Sequence, residues 1–394
     1  MQVGPGSGFA QRGAGPRDER MIGCHLGFGF VYESVLVADR GETARRVIRT
    51  VRALGMKAVA VYAAADSAAR HVHEADEAVL LGSGPQDVPY RDIRALIEAA
   101  QRSGCEAVHP GCGALAASPS FADAVAEGGL VWVGPATRTL AAIADPAVLA
   151  GALSTVGVAF AGSTDAADGS AVAVTVVAGE GDPVGLPPRE LAGPGRAVIE
   201  CPAPDVSRTS SAELIRAAEQ AARAVELRGL ATVTLVAGGG PDANPAVAGM
   251  WPAIDVEHPV VEAVTGLDLV EQQIRISSGE SPEQPDTAAS RTAALAQVRV
   301  TSERRRATKI SRWREPQRDD VRIDSGYAAG DSVPPGGARV LATVTGWGAG
   351  RDDALGALAA ALDTFEIAGI AADVDAAQQE VARRRAPRPK EQGT

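Results

Sequence analysis

The chain has few aromatic residues and fewer basic residues than acidic ones. Phe, Tyr and Trp make up 4% of its 394 residues, and 38 Lys and Arg stand against 49 Asp and Glu, so the net charge is −11. This excess of negative charge disfavours binding to nucleic acid and to anionic membrane surfaces. We therefore expect neither of these as a partner.

Cysteine is scarce as well, and its spacing does not suggest ligands. Cys24, Cys105, Cys112 and Cys201 include no C-x-x-C pair, so we expect neither a disulfide framework nor a zinc site. No apolar run approaches the ~20 residues of a membrane span. The chain also lacks the charged-then-apolar start of a signal peptide. These features predict a cytoplasmic protein.

The chain does have enough apolar residues for sizeable cores, since 45% are hydrophobic. Its length suggests two or three domains at roughly 100–200 residues each. The first segment, 1–33, is rich in Gly and has no periodic pattern, and we expect it to be disordered or to come from a misplaced start. The remaining segments are a domain at 34–145, an irregular region at 146–198, a domain at 199–382 and a basic tail at 383–394 that we expect to be solvated.

Strand and helix patterns alternate in the first domain. Continuous apolar runs predict buried strands, and apolar residues at helical spacing predict helices. The strands are predicted at 35–38, 57–62, 78–81 and 130–133, and the helices at 43–54, 93–102 and 121–126. This alternation is typical of an α/β fold with a doubly wound parallel sheet.

Three motifs in this domain resemble those of biotin carboxylases, the ATP-dependent subunits of acyl-CoA carboxylases. Residues 38–44 resemble the family's Ala-Asn-Arg-Gly-Glu-Ile-Ala, 109–113 its His-Pro-Gly-Tyr-Gly, and 133–135 its Ile-Gly-Pro. Three motifs in order are more specific than any one of them. The resemblance implies a biotin carboxylase N-terminal-like domain, followed by an α+β domain like the ATP-grasp and C-terminal domains of the family. It makes His109 and Gly111 the candidate cofactor-binding positions.

A stretch in the second domain, 255–271, resembles the family segment around Val-Glu-His-Pro-Val-Thr-Glu. The resemblance implies that Glu257 is the general base for bicarbonate and that Arg299 holds bicarbonate and the biotin ureido oxygen. A carboxylate within hydrogen-bond reach of a bound acid can accept its proton. Alternatively, Glu257 is a polar residue at the start of a helix near Pro259, where the helix dipole favours its charge, and Arg299 is its buried ion-pair partner.

The chain departs from the family pattern where metal and nucleotide bind. Thr234 and Gly249 stand at the positions of two Mg-binding Glu residues, Pro146 at that of a nucleotide-binding Lys, and Ala253 at that of a catalytic Arg. Magnesium requires hard oxygen ligands. We therefore expect no bound metal and none of the family's cofactors, ATP, Mg and biotin. The Gly-rich ATP-grasp lid is also missing, so 146–198 is interpreted as the remnant of a deleted lid region.

Because phosphoryl transfer depends on charge neutralisation, these departures favour a non-catalytic subunit, scaffold or regulator in an acyl-CoA carboxylase system. Two alternatives stay open: an active biotin carboxylase that carboxylates carrier-bound biotin, and a small-anion binding module that uses Glu257 and Arg299. Whether the chain is an enzyme is therefore undecided. No Ala-Met-Lys-Met carrier motif is present, so biotin is not carried on this chain.

The resemblance also implies partners. We expect a homodimer, or a heterodimer with a catalytic biotin carboxylase, with Arg46 and Arg322 at the interface. Arginine suits interfaces because its fork pairs with carboxylates while its stem covers apolar area. Carboxyltransferase or biotin carrier subunits are further expected partners.

Overall fold

A computed structural model describes residues 30–84, 88–162, 171–191, 193, 197–236, 244–285, 291–301, 306–334 and 339–386. The elements named below belong to a unit that begins at Tyr32. Most of the predicted N-terminal extension and most of the predicted basic tail lie outside the described residues. Within the described ranges, no helix is both long and apolar enough to cross a membrane.

The first domain is built on a five-stranded parallel sheet of order β3-β2-β1-β4-β5. Its strands are β1 (Ser34–Val37), β2 (Lys57–Ala63), β3 (Glu77–Gly82), β4 (Ala107–His109) and β5 (Val131–Trp132). Its helices are α1 (Gly41–Ala53), α2 (Arg70–Glu74), α3 (Ile93–Arg102), α4 (Pro119–Glu127) and α5 (Thr137–Ala144). The predicted doubly wound parallel sheet is confirmed.

The strand order of this sheet reverses between β1 and β4. Such a reversal opens a crevice at the carboxyl ends of the strands. The two motif segments 38–44 and 109–113 follow β1 and β4 and meet there: Cys112 N donates to Asp39 Oδ2 at 2.8 Å. The sequence motifs therefore build the turns at this edge of the sheet.

The second sheet has six strands in the order β6-β12-β11-β7-β8, with β9 also paired to β7. Helices α6 and α7 pack against one of its faces through a large apolar cluster. The elements are α6 (Pro146–Thr155), β6 (Ala159–Phe160), β7 (Ala171–Ala178), β8 (Val184–Gly185), β9 (Arg189–Glu190), α7 (Arg208–Ala224), β11 (Gly229–Val236) and β12 (Ala246–Trp251). Only residues 161–170 connect β6 to β7, although β12 and β11 lie between these strands in the sheet.

A third, antiparallel sheet of order β10-β13-β18-β16 carries α8 on one face and α10 and α11 on the other. Its strands are β10 (Val198–Cys201), β13 (Thr292–Arg299), β16 (Val321–Ser325) and β18 (Val340–Gly348). Four strands form two small ribbons: β14 (Thr308–Lys309) with β17 (Ser332–Val333), and β15 (Arg312–Arg314) with β19 (Glu366–Ala368). The helices are α8 (His258–Thr265), α9 (Leu269–Ser277), α10 (Arg351–Thr364) and α11 (Val374–Arg385).

Alternation along β13 decides which of its side chains reach the site. Ala294, Ala296 and Val298 join the core beneath α10 and α11. Successive side chains of a strand point to opposite faces. Gln297 and Arg299 therefore point to the other face, towards the start of α8.

Helix α11 overlaps the predicted solvated tail, and that prediction is wrong at its first residues. The helix continues to Arg385, and the Arg384 side chain is only 15% exposed. It is buried because it pairs with three carboxylates, Glu190, Glu200 and Glu380.

Glu262 joins the first domain to the second. Its carboxylate pairs with Arg46 of α1 at 2.8 Å and with Arg322 of β16 at 2.5 Å, and its side chain is 5% exposed. The two arginines that we expected at a dimer interface are thus engaged inside the chain. Each guanidinium has a second carboxylate partner, Asp268 for Arg46 and Asp324 for Arg322, and a role of either arginine at a dimer interface stays a prediction.

The surroundings of Glu262 favour its charged form. Burial alone raises the pKa of a carboxyl group, but Arg46, His258 and Arg322 outweigh burial and hold the pKa of Glu262 well below its ordinary range. The backbone N of Leu269 also donates to its Oε1 at 2.7 Å. Glu262 therefore acts as a buried anion that binds two elements of the second domain to α1.

Candidate functional site

The candidate site begins in the short segment 252–257 between β12 and α8. Asp255 orders this segment, since its Oδ1 accepts from Glu257 N at 2.8 Å and its carbonyl lies 2.6 Å from His258 Nδ1. Helix α8 begins at His258, one residue before Pro259, which agrees with the predicted start near Pro259. The Glu257 side chain makes no capping hydrogen bond to this helix.

Arg189 of β9 supplies the cation that Glu257 pairs with. Its Nη1 donates to Glu257 Oε2, and its Nη2 donates to Asp255 Oδ2 at 2.6 Å. Arg189 is 1% exposed and is the largest of the fully buried side chains that the structure describes. One guanidinium thus bridges two carboxylates in a site almost closed to water.

Asp255 is held as an anion by this arrangement. Burial alone raises its pKa, but the Arg189 guanidinium and a hydrogen bond from Thr232 Oγ1 (2.9 Å) outweigh burial and lower the pKa below its ordinary value. Thr232 lies on β11, so the strand beneath the site also fixes the orientation of Asp255.

Gln297 and Arg299 approach Glu257 from β13. Gln297 Nε2 donates to Glu257 Oε1 at 3.0 Å, and Arg299 Nε donates to Gln297 Oε1 at 2.9 Å. Within the described chain, Arg299 pairs with Gln297 and forms no ion pair with Glu257. The predicted Glu257–Arg299 ion pair is therefore wrong, because Arg189 takes that place and Gln297 stands between the two residues.

This geometry limits what Glu257 can do. Each of its carboxylate oxygens accepts from a donor of the chain, Arg189 on one side and Gln297 on the other. A general base needs a lone pair within about 2.6–3.2 Å of the proton that it accepts. Arg189 and Gln297 thus take one acceptor site on each oxygen of Glu257, so a substrate must share these oxygens with both donors.

The two candidate magnesium positions are neighbours in the second sheet. Thr234 of β11 and Gly249 of β12 are register partners on adjacent antiparallel strands. They offer one hydroxyl and no side chain, which does not fit Mg²⁺ held by two carboxylates. Within the described residues, no group of three or more His, Cys, Asp or Glu is placed to hold a metal ion.

The candidate nucleotide and catalytic positions carry structural residues. Pro146 opens α6, and Asp145 caps that helix by accepting from Ala147 N at 2.8 Å. Ala253 is 1% exposed, and Trp251 Nε1 donates to Ile254 O at 3.2 Å within the same turn. In this chain the segment before Asp255 is thus packed by small and aromatic groups.

His109 and Gly111 lie in the turn after β4. His109 is fully buried, its Nδ1 accepts from Gly111 N at 3.0 Å, and burial lowers its pKa to about 4. Gly111 has a φ of +73°, and a Cβ on it would overlap the Asp39 carboxylate. The described contacts are structural, and a role of either residue in cofactor binding stays a prediction.

Sequence reasoning missed Arg189 and Gln297. Arg189 lies in the irregular segment 146–198, where no motif directs attention to it. The available signal is charge balance, since two carboxylates predicted in one buried stretch need a cation. Gln297 lies two residues before Arg299, which is the spacing that places two side chains on one face of a strand.

Three family models match the chain in succession. Residues 24–140 match "Biotin carboxylase, N-terminal domain", 189–284 match "Carbamoyl-phosphate synthase L chain, ATP binding domain", and 297–389 match "Biotin carboxylase C-terminal domain". The first match begins within the predicted N-terminal extension.

Proteins of similar sequence include a biotin carboxylase and subunits of two other carboxylases. The chain is 29% identical to the biotin carboxylase of Pseudomonas aeruginosa, over 86% of this chain and 92% of that protein. It is 30% identical to the biotin-dependent acyl-coenzyme A carboxylase alpha3 subunit of Mycobacterium leprae, over 86% of this chain and 69% of that subunit. It spans 58% of the methylcrotonoyl-CoA carboxylase alpha subunit of Glycine max, at 28% identity over 88% of this chain.

Solved structures share the fold. A single-chain, multi-domain long-chain acyl-CoA carboxylase superposes with a TM-score of 0.81 at 31% identity, over 89% of this chain and 39% of that one. The biotin carboxylase domain dimer of Hydrogenobacter thermophilus 2-oxoglutarate carboxylase superposes at 0.82 and 22% identity, over 90% of this chain and 94% of that one.

These comparisons overturn the expectation that no cofactor is involved. Residues 189–284 match an ATP binding domain, and the Hydrogenobacter domain was solved with MgADP and bicarbonate. The prediction of no cofactor, drawn from Pro146, Thr234 and Gly249, is wrong because it judged the nucleotide site from three positions. The matching segment spans 96 positions, from Arg189 to Gln284, and contributes strands to both the second and the third sheet.

Proposed function

Because this chain belongs to the biotin carboxylase family, we propose that it is a non-catalytic biotin-carboxylase-type subunit of an acyl-CoA carboxylase system. The observation that carries this function is the buried ion pair between Arg189 and Glu257. In this proposal the chain retains nucleotide binding. The step that is lost is the transfer of a proton from bicarbonate to Glu257.

The physical reason is the occupation of the base. A carboxylate that accepts from a guanidinium on one oxygen and from an amide on the other is stabilised by both donors in its charged form. Arg189 is 1% exposed, so bicarbonate would have to compete with a buried ion pair for Glu257. Arg299 donates to Gln297 and is thereby directed away from an anion beside Glu257.

The proposed loss of the lid agrees with two observations. The connection from β6 to β7 is confined to residues 161–170. The alignment with the Pseudomonas enzyme runs over 417 positions, more than the 394 residues of this chain, so that enzyme has residues without a counterpart here. A segment of ten residues is too short for a domain with its own core.

An active biotin carboxylase is the second candidate. It is favoured by the continuous chain of contacts from Glu257 through Gln297 to Arg299, which places base and anion-holding group in one cluster. In that function Arg189 withdraws from Glu257, Glu257 accepts the bicarbonate proton, and Arg299 holds the resulting anion. Because Thr234 and Gly249 do not fit a two-carboxylate metal site, no step through a metal follows from these residues.

Association with other chains is part of the proposal. The chain spans 58% of the soybean subunit and 39% of the single-chain carboxylase, and we propose that it associates with biotin carrier and carboxyltransferase subunits. We propose a dimer with itself or with a catalytic biotin carboxylase.

The deciding experiment supplies the purified protein with Mg-ATP, bicarbonate and free biotin, and measures phosphate release with and without biotin. We expect no biotin-dependent release, and the same background from a Glu257→Gln variant. Biotin-dependent release that Glu257→Gln abolishes would establish the active enzyme instead. Bicarbonate binding without turnover, lost in Arg299→Ala, would favour the small-anion binding module.

A further inference from the structure

The residue that engages Glu257 is carried by a strand of only two residues. Arg189 and Glu190 form β9, which pairs with β7 at Ala173 and Val172. The two side chains point in opposite directions: Arg189 to Glu257 and Asp255, and Glu190 to Arg384 of α11. A ladder of two residue pairs restrains a strand weakly, so the contacts of Glu190 matter for where Arg189 lies.

Arg384 holds Glu190 through a saturated set of hydrogen bonds. Its Nη1 donates to Glu190 Oε2 at 2.6 Å and to Glu200 Oε1 at 2.8 Å. Its Nη2 donates to Val198 O at 2.8 Å and to Glu380 Oε1 at 3.0 Å. A guanidinium in this setting joins β9, β10 and α11 with defined geometry, because its fork is planar and rigid.

The same cluster is fixed from a second side and is open to solvent at its edge. Arg351 of α10 donates to both oxygens of Glu200, at 2.6 and 2.9 Å, and Glu200 is 1% exposed. A polar cavity of about 350 Å³ lies beside it and is lined by Glu190, Arg351 and Arg384, with Arg383 exposed at the rim. The contacts of Arg384 are thus buried but adjoin water.

We propose that Arg384 is a positioning residue for the Arg189–Glu257 pair: it anchors Glu190 from one side of β9 and thereby fixes Arg189 on the other. Through Arg384, helix α11 then determines whether Arg189 pairs with Glu257. This inference rests on the proposed role of the Arg189–Glu257 pair in the function above. Its tests use no turnover, so its failure is distinguishable from failure of that function.

The first test is hydrogen–deuterium exchange by mass spectrometry on the full chain. In Arg384→Gln we expect fragments spanning 186–191 to exchange about tenfold faster than in the unchanged protein. Arg384→Lys, which keeps the charge but not the fork, should restore part of the protection. The matched control is Arg383→Gln, which alters the exposed neighbour and should leave these fragments unchanged. Faster exchange confined to α11 would overturn the proposal.

The second test is a double-mutant cycle in urea, which separates positioning from general structural support. Arg384→Gln and Glu257→Gln each raise the unfolding equilibrium constant. In the double variant the unfolding equilibrium constant should be at least about threefold smaller than the product of the two single effects predicts. The reason is that both substitutions weaken the same Arg189–Glu257 pair. Arg384→Gln combined with Arg318→Gln, at the exposed Arg318–Asp320 pair, is the additive control. Independent effects of Arg384→Gln and Glu257→Gln would overturn the inference.

Discussion

At the scale of single residues, Arg189 has the largest predicted effect. It neutralises Asp255 and Glu257 in a site that water hardly reaches. Removal of one member of a buried ion pair leaves an uncompensated charge and costs about 3–5 kcal/mol. We therefore expect Arg189→Gln to lower the free energy of unfolding by that amount, as measured by urea denaturation at pH 7.

The control is a pair with the same chemistry on the surface. The Arg138 and Glu226 side chains are 73% and 69% exposed and lie 2.8 Å apart. Exposed pairs contribute at most about 1 kcal/mol. Arg138→Gln should therefore change stability only slightly. If Arg189→Gln is equally mild, the ion pair with Glu257 is not a buried one in solution.

The sequence allows some of these residues to be predicted and not others. Glu257 and Arg299 stand in stretches of recognisable pattern, and the structure places both in one cluster with Gln297. Arg189 and the pairing of Glu262 with Arg46 are not predictable in this way. Their partners lie 68 and 216 positions away, and no local pattern encodes such contacts.

At the scale of elements, the turn after β4 depends on one glycine. Gly111 has a left-handed backbone and lies against Asp39, whose carboxylate also accepts from Cys112 N. Gly111→Ala combines backbone strain of roughly 1–3 kcal/mol with a steric overlap. We expect a loss of about 3 kcal/mol or more, measured by thermal or urea unfolding.

Gly129 provides the matched comparison. Its φ is +74°, close to that of Gly111, but a Cβ on it would meet no atom within 4 Å. Gly129→Ala therefore isolates the backbone strain, and we expect a cost of only about 1–2 kcal/mol. Equal losses in the two variants would show that Asp39 moves aside without cost.

Elements with an apolar pattern of their own are predictable here, and elements without one are not. The helix over Ile93–Arg102 and the strands of the parallel sheet follow their apolar patterns. Two-residue strands such as β8 and β9 have no period of their own and exist only because β7 pairs with them. Capping depends on single residues as well: Ser207 caps α7 by accepting from Ser210 N at 3.1 Å.

At the scale of the whole molecule, Glu262 makes stability depend on pH. Its pKa in the folded protein is lowered, because Arg46, His258 and Arg322 outweigh burial. A carboxyl with a lowered pKa contributes stability above its unfolded value of about 4.3 and loses that contribution as pH falls through the folded value. We expect Glu262→Gln to cost about 3–5 kcal/mol at pH 7, and the difference from the unchanged protein to shrink below pH 4. Urea unfolding across pH 2.5–7 measures both quantities.

Glu98→Gln is the control for this series, since Glu98 pairs with Arg94 on the surface of α3 with both side chains more than half exposed. Its effect should be small at every pH. A constant difference between Glu262→Gln and the unchanged protein across the whole range would mean that Glu262 does not titrate with folding.

The connection between Arg46 and Glu262 also has a consequence for synthesis on the ribosome. The five strands of the parallel sheet are complete by Trp132, together with their own apolar core, so this sheet can form early in translation. Arg46 belongs to that early region, but its carboxylate partner emerges 216 residues later. At about 5–20 residues per second, that interval lasts roughly ten to forty seconds. During it Arg46 lacks Glu262, and its positive charge on α1 is open to an acidic surface of a chaperone or of another nascent copy of the chain.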